Sequence, residues 1–260
     1  MRALISIGSW IEAAYKGYPQ AQRDTWLKGI SNFKSLDYRF FYGDNKPTGE
    51  DESVLNWSYE YLCIPFHGNK YAYNFSDKIF IPAQDEVVLE NLPDDHRHNS
   101  FKTKRALQWS LDHGYDYTFI CGVDTYVCLD RLINSGFENW DYTGTDQWNP
   151  RFAGGGPGYW LSARSAQHVV NSPVVLPTNR FGGCEYVWAE DTWVGGVMGD
   201  AAVELHPDRR YKEWPFSPFS NNDCISSHLG VAQFTTGRMV EAHFNRFRQS
   251  TPLLPRRQSP

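Results

Sequence analysis

The sequence predicts an α/β fold in which helices sandwich a mainly parallel sheet, because short apolar runs alternate with segments of helical spacing. Runs such as 3–7 and 117–121 are apolar, and 101–113 has the three-to-four-residue spacing of a helix. The chain has 260 residues, with no internal repeat and no clear linker, which is typical of one large domain. We expect a single domain over residues 1–250 and a disordered basic tail over residues 251–260.

The first half of the chain is predicted to contribute three strands and one helix. Residues 3–7 end at Gly8-Ser9, and this apolar run predicts the first strand. Trp26 and Ile30 are spaced to share one face of a helix over residues 20–30. The other predicted elements are a strand at 36–42, a shorter strand at 61–64 and an irregular segment at 65–98, which is rich in Pro, Asn and Asp.

The second half is predicted to alternate between helices and strands. The helix over 101–113 is closed by Gly114, and a buried strand over 117–121 follows it. Ser162 is expected to cap the helix that comes after the glycine-rich segment. The remaining predicted elements are a helix at 129–135, a strand at 140–145 and helices at 163–170 and 189–198.

The composition excludes several classes of protein. The formal net charge is −5, so the chain as a whole offers no basic field for a nucleic acid. No window approaches the roughly 20 consecutive apolar residues that a membrane-spanning helix needs. The 5 cysteines form no CxxC pair, which favours reduced thiols in a soluble, cytoplasmic protein.

The stretch FICGVDTYV places Asp124 just where a buried strand ends. A charged group there is costly to bury unless it is paired or holds a metal. In open α/β sheets, ligands bind at the carboxyl ends of the strands. Asp124 is therefore either the cap of a turn or part of a ligand site.

The glycines Gly154, Gly155 and Gly156 precede a predicted helix. Glycines in such a position can cradle a phosphate, but the segment is not a GxxxxGK[ST] loop and no Lys follows it. The alternative, which we favour, is a close-fitting wall against which a substrate packs.

Glu190 and Asp191 form an acidic pair where a helical segment begins. One interpretation is a favourable interaction with the positive end of the helix. The other is a general base, with Trp188 and Trp193 offering a stacking surface for sugar rings. His228 is a lone histidine, which becomes a candidate Mn²⁺ ligand only if it faces Asp124.

Six blocks occur in one order along the chain: QAQRDTW (20–26), SFKTKRALQW (100–109), GVDTYV (122–127), FAGGGPGYWLS (152–162), AEDTWVG (189–195) and SSHL (226–229). In these blocks the chain resembles the Fringe and β-1,3-galactosyltransferase group of glycosyltransferases. The corresponding motifs of that family are R-x-T-W, L-K-T, D-D-D-x-Y/F-V, G-G-x-G-Y/F-x-L-S, E-D-V-x-x-G and S-H-L.

The resemblance implies a GT-A type, Rossmann-like fold, a UDP-sugar donor, Mn²⁺ (or Mg²⁺) and inversion at the sugar carbon. It gives Asp124 and His228 the places of the metal ligands and Asp191 the place of the catalytic base. The residues that it implies for the donor are Arg23, Trp26, Lys102, Gly122 and Val123. Those that it implies for the acceptor and sugar pocket are Gly154, Gly155, Gly156, Trp188, Glu190 and Trp193.

The chain departs from the family pattern at Gly122 and Val123, which replace the first two acids of D-D-D. The departure could weaken metal binding or change donor preference. It also keeps open a function of another class, that of a sugar- or nucleotide-binding module without catalysis. Retention of Asp124, Asp191 and His228 together argues against such a module.

Two acceptors fit the sequence. One is a saccharide, which suits the overall acidity. The other is a 5-hydroxymethyl-pyrimidine base in phage-type DNA, whose primary hydroxyl would be reached by flipping the base. The C-terminal arginines, namely Arg246, Arg248, Arg256 and Arg257, suit the DNA acceptor if they contact phosphates, although a solvated, disordered end is the interpretation that we favour for them. We place the saccharide first.

Overall fold

The computed structural model describes residues 1–44, 80–94, 98–146, 151–174, 179–181, 184–186, 190–212, 223–229 and 235–250. The strands are β1 Ala3–Gly8, β2 Leu36–Gly43, β3 Glu86–Leu89, β4 Tyr117–Gly122, β5 Thr125–Val127, β6 Tyr142–Gly144, β7 Tyr159–Ser162, β8 Asn179–Phe181, β9 Cys184–Tyr186, β10 His206–Pro207, β11 Tyr211–Lys212 and β12 Ser226–His228. The α-helices are α1 Ile11–Tyr15, α2 Tyr18–Asp24, α3 Asn99–Asp112, α4 Leu129–Ile133, α5 Ala163–Asn171, α6 Glu190–Asp200 and α7 Thr235–Ser250.

A seven-stranded mixed sheet forms the centre, in the order β10-β6-β7-β4-β1-β2-β3. β1 is parallel to both β2 and β4, β2 is parallel to β3, and β10 is parallel to β6. Only β7 runs against its neighbours in this sheet, since it is antiparallel to β4 and to β6. The predicted α/β class with a mainly parallel sheet is thus confirmed.

Helices cover both faces of the sheet. The side chains of Ala3, Ile5 and Ile7 in β1 belong to a buried cluster that includes residues of α1, α2 and α7. Leu4, between them, packs in a separate cluster with Ala106 of α3. Helices α3, α5 and α6 also contact one another. A strand covered on both faces is apolar at nearly every position, as β1 is apart from Ser6, which explains why β1 was predictable from its sequence.

The chain reverses its direction of progress along the sheet at β1, because β2 lies on one side of β1 and β4 lies on the other. Gly8 and Gly122 are partners in register at the carboxyl ends of these two strands. Such a switch point leaves a crevice in which α/β proteins bind ligands. The segment that contains Asp124 follows β4 at this crevice.

Several elements differ from the prediction. The helix expected over 20–30 ends at Asp24, and a 3₁₀-helix over Trp26–Asn32 follows it. The hydroxyl of Thr25 donates to the carbonyl oxygen of Ala21 (2.6 Å), a bond that competes with helical backbone pairing. The short strand β3 lies within the segment expected to be irregular, so that prediction is wrong there.

The strands β5, β7 and β12 were missed altogether. β7 was hidden because its last residue, Ser162, is also the N-cap of α5 and accepts a hydrogen bond from Ser165 N (3.2 Å). The predicted strand at 61–64 and the tail at 251–260 lie outside the described residues. No helix in the described ranges is long and apolar enough to cross a bilayer.

Candidate functional site

The Asp124–His228 pair lies at the carboxyl end of β4. β12 pairs antiparallel with β5, with His228 opposite Thr125, and this pairing brings the two ligand candidates together across the chain. His228 Nε2 lies 3.0 Å from Asp124 Oδ2. The two side chains are 27% and 22% exposed, so a ligand can reach both of them. The condition that made His228 a metal-ligand candidate is therefore met.

The loop that presents Asp124 is fixed to α2 by hydrogen bonds from the side chain of Gln22. Gln22 Nε2 donates to the carbonyl oxygens of Gly122 (3.3 Å), Val123 (3.0 Å) and Thr125 (3.0 Å). The Gln22 side chain is fully buried. The backbone of this loop is thus anchored to α2, which limits how far its carboxylate can move.

Gly122 and Val123 offer no polar side chain where the family motif has two acids. A Cβ atom on Gly122 would lie 2.4 Å from Asp124 Oδ1, so the carboxylate occupies the space of the missing side chain. Val123 is fully buried in the core. Any donor contact predicted for these two residues would have to come from their backbone atoms.

Asp191 lies in the first turn of α6, against the glycine-rich segment. Its Oδ2 accepts a hydrogen bond from Gly155 N (2.9 Å), and its Oδ1 accepts one from Thr192 N (2.8 Å). A Cβ atom on Gly155 would lie 3.3 Å from Asp191 Cβ, so only glycine lets the loop pack this closely without displacing a neighbour. The glycine segment therefore packs against the acidic pair, and its contact with a substrate stays a prediction.

The glycine segment also links Asp191 to the Asp124 loop. Thr125 Oγ1 donates to the carbonyl oxygen of Gly156 (2.6 Å). Gly154 N donates to the carbonyl oxygen of Thr145, just after β6 (3.0 Å). Because adjacent residues of one segment hold both loops, the base and metal-ligand candidates belong to the same edge of the sheet.

Glu190 lies beside Asp191 but has different partners. Its carboxyl group accepts hydrogen bonds from the hydroxyls of Tyr159 and Thr103. Burial, followed by the charge of Asp191, raises the pKa of Glu190 to about 8, and the two hydroxyls oppose this rise. The two neighbouring carboxyl groups are therefore chemically distinct.

Lys102 forms a buried ion pair at the carboxyl ends of β1 and β2, and its contact with a donor stays a prediction. Lys102 Nζ donates to the carbonyl oxygen of Ser9 (3.0 Å) and lies 3.4 Å from Asp94 Oδ1. Asp94 also accepts hydrogen bonds from Gly43 N (2.7 Å) and Ile11 N. These bonds tie together the carboxyl ends of β1 and β2. Asp94 was missed because it fell in the segment interpreted as irregular, although a buried lysine required such a partner.

Arg23 and Trp26 lie away from the strand ends. Arg23 forms a bidentate pair with Asp85 (2.9 and 2.8 Å) and contacts Glu86 (2.6 Å). Its guanidinium group stacks over the ring of Phe40, in the middle of β2. Trp26 is only 2% exposed. The structure thus gives both residues a packing role and shows neither among the side chains gathered at the crevice.

Trp193 corrects one further expectation. It is 3% exposed, and its Nε1 donates to the carbonyl oxygen of Pro173 (3.1 Å). The ring packs in the core cluster around α5 and α6, so it is not available to stack on a sugar. Trp188, the other half of the predicted stacking surface, lies outside the described residues.

The carboxylate oxygens of Asp124 and the imidazole nitrogen of His228 are suitable ligands for a divalent metal. One carboxylate and one imidazole are ligands that Mn²⁺ accepts, and Mg²⁺ is often held by one or two carboxylates plus substrate phosphates. In the described part of the chain, no group of three or more His, Cys, Asp or Glu side chains is placed to hold a metal ion. The pair fits a metal whose coordination a diphosphate completes.

Asp124, His228, Asp191, Glu190 and Gly155 thus make up the strand-end site. Neither a scan against protein-family models nor a search of the curated proteins finds a match to this chain. The chemistry of these five residues is the basis on which a function can be assigned.

Proposed function

We propose that this protein is an inverting, metal-dependent glycosyltransferase of the GT-A type. It would move a sugar from a nucleotide-sugar donor, a UDP-sugar by resemblance, to a hydroxyl group of a saccharide. The observation that carries the proposal is that Asp124 and His228 meet at the switch point, on the edge that also holds Asp191. The six sequence blocks support the same function.

The metal site consists of Asp124 and His228. Their side chains touch each other and remain partly exposed, so a metal and a diphosphate can approach them together. When bound, Mn²⁺ or Mg²⁺ offsets the negative charge that builds up on the leaving nucleoside diphosphate. The anchoring of the loop by Gln22 holds Asp124 in position for this task.

Asp191 is the proposed general base. Backbone N–H groups donate to both of its carboxylate oxygens, and such hydrogen bonds favour the charged form. The carboxylate takes the proton of the acceptor hydroxyl as the acceptor oxygen bonds to the sugar C1. The bond from C1 to the diphosphate oxygen breaks on the opposite face, and its electron pair leaves with the diphosphate. Attack from the opposite face inverts the configuration at C1.

The charges at this edge favour a saccharide over DNA as the acceptor. Arg209 is engaged with Asp146 (3.1 and 3.3 Å), and Arg210 with Asp208 (2.6 Å). Acidic groups, Asp191 among them, also line the edge, and a polyanion would approach it against their repulsion. If DNA is the acceptor nevertheless, its binding should weaken steeply with salt, whereas saccharide binding should not.

The first test is thermal stabilisation by a panel of UDP-sugars, with and without Mn²⁺. A donor at 100 times its Kd stabilises the folded state by about 2.7 kcal/mol. We expect a metal-dependent shift for the wild type and none for Asp124→Ala. Asp200→Ala, which removes an exposed carboxylate at the end of α6, is the matched control and should keep the shift. Failure of every donor to shift the wild type would overturn the proposal.

The second candidate function is a binding module without catalysis. It is favoured by the lack of any side chain at Gly122 and by the burial of Val123. The two candidates differ in one assay, the slow hydrolysis of the preferred UDP-sugar with Mn²⁺. A donor that binds in a metal-dependent way but is neither hydrolysed nor transferred would favour the module.

A further inference from the structure

The two adjacent carboxyl groups at the start of α6 have different hydrogen-bond donors. Asp191 accepts from two backbone N–H groups, those of Gly155 and Thr192. Within the described residues, Glu190 accepts from two side-chain hydroxyls, one of which belongs to the fully buried Tyr159. Asp191 therefore has the surroundings of a carboxylate anion, whereas Glu190 does not.

Gly155 brings the two groups against the same point of the backbone. A Cβ atom built on Gly155 would lie 3.1 Å from Glu190 Oε2 and 3.4 Å from Asp191 Oδ2. If both carboxyl groups were ionised, two negative charges would meet at this glycine. Both side chains are partly exposed, but two charges held this close together still oppose each other's ionisation.

No cationic side chain in the described ranges offsets a charge on Glu190. The titratable groups that act on it are Asp191 of its own helix, Tyr159 of β7 and Tyr142 of β6. On α3, Lys104 Nζ instead donates to the carbonyl oxygen of Ser172 (2.6 Å), and His168 of α5 is exposed. Among the side chains that the structure describes, an ionised Glu190 would have hydroxyl donors but no counter-ion.

We propose that Glu190 is a positioning residue that stays protonated while the enzyme works, so that Asp191 carries the one negative charge at the glycine segment. This inference rests on the proposed function. The raised pKa of Glu190, about 8, agrees with it. Loss of this proton would push the Asp191 carboxylate away from Gly155 N and misplace the base. Pairs of carboxyl groups whose surroundings separate their pKa values are a recurring way to divide such tasks.

The test compares pH profiles of kcat with the preferred donor. For an essential proton with a pKa near 8, the wild-type rate should fall about tenfold between pH 7 and pH 9. Glu190→Gln imitates the protonated form, so its rate at pH 7 should be a few-fold lower but should change less than twofold up to pH 9. A wild-type fall that persists in Glu190→Gln would overturn the inference.

Tyr159→Phe provides a second test, because it should shift the alkaline fall in kcat in one direction only. The Tyr159 hydroxyl lowers the pKa of Glu190, so its removal should raise that pKa. The alkaline fall in kcat should then move to higher pH. A shift to lower pH would overturn the assignment.

The protonation itself can be measured without any activity. Carbon-13 NMR of protein labelled at the glutamate carboxyl carbon should show one resonance that titrates near pH 8. It should vanish in Glu190→Gln and persist in Glu204→Gln, which alters an exposed glutamate. If this resonance is seen but no sugar is transferred at any pH, the proposed function fails, and with it the role in positioning. If sugar is transferred but Glu190 titrates below pH 6, the inference fails and the function stands.

Discussion

Two pairs of charged residues near the strand ends differ in how completely the protein encloses them. The Lys102–Asp94 pair has side chains only 5% and 0% exposed, and its polar atoms bond to the backbone of β1 and β2 and their loops. The Asp124–His228 pair is 22–27% exposed and has an open side. Both pairs contain residues of the sequence blocks, so the blocks alone do not distinguish a structural pair from a candidate ligand site. The exposed fraction of the side chains does distinguish them.

Asp191→Asn should have the largest effect, and it tests the partly exposed strand-end site. Loss of a general base lowers kcat by about 10²–10⁴-fold, or about 3–5 kcal/mol in the barrier. The amide has a single oxygen and can keep only one of the two backbone N–H donors, so we expect the free energy of unfolding to fall by about 1–3 kcal/mol while donor binding persists. Loss of donor binding in this variant, measured by thermal shift, would count against the assigned role.

Lys102→Met should break the enclosed pair at a cost of about 3–5 kcal/mol in the free energy of unfolding, because Asp94 would keep a buried charge without its cation. Urea denaturation measures this loss. Lys28→Met, at an exposed position, is the control and should be near neutral. The double variant with Asp94→Asn should recover part of the stability. A loss below 1 kcal/mol would mean that the pair is not structural.

Gln22→Leu should lower both the stability of the protein and its metal-dependent donor binding, with effects smaller than the main effect of either preceding variant. It leaves buried carbonyl oxygens in the loop of residues 122–125 without their donor, which costs about 1–3 kcal/mol. Because the same loop presents Asp124, the metal-dependent donor shift should shrink as well. Gln20→Leu removes an exposed amide from the same helix and should change neither quantity. An unchanged donor shift in Gln22→Leu would show that the loop holds its position without this anchor.

Gly122→Ala should have the smallest effect on stability, within about 1 kcal/mol, because the displaced atom is the end of a flexible side chain. The added Cβ would push Asp124 Oδ1 from its present place, so the donor shift should fall more than the stability does. Gly29→Ala has room for its methyl group and is the control. A donor shift equal to that of the wild type would show that the site tolerates a side chain at this position.

The sequence predicted β1 and β4 well because strands covered on both faces are mostly apolar, with Ser6 and Thr118 as the polar exceptions. Local patterns did not predict the meeting of Asp124 with His228, since the polar three-residue strand β12 carries no local signal and pairs with β5 across the chain; only the family resemblance placed the two residues at one metal. The burial of Trp193 was foreseeable. Trp193, Val194, Val197 and Met198 are all buried and recur at the spacing of one helix face. Interpreting the tryptophan by its neighbour Asp191 hid that pattern.

The pairing of β5 with β12 determines how late in synthesis the two candidate metal ligands can come together. Every strand of the seven-stranded sheet is encoded before Asp208, whereas β12 begins at Ser226. Asp124 and His228 can therefore meet only after the chain has been made through β12, later than the last strand of the seven-stranded sheet. A chain that ends before Ser226 would contain every strand of that sheet but only one of the two candidate metal ligands.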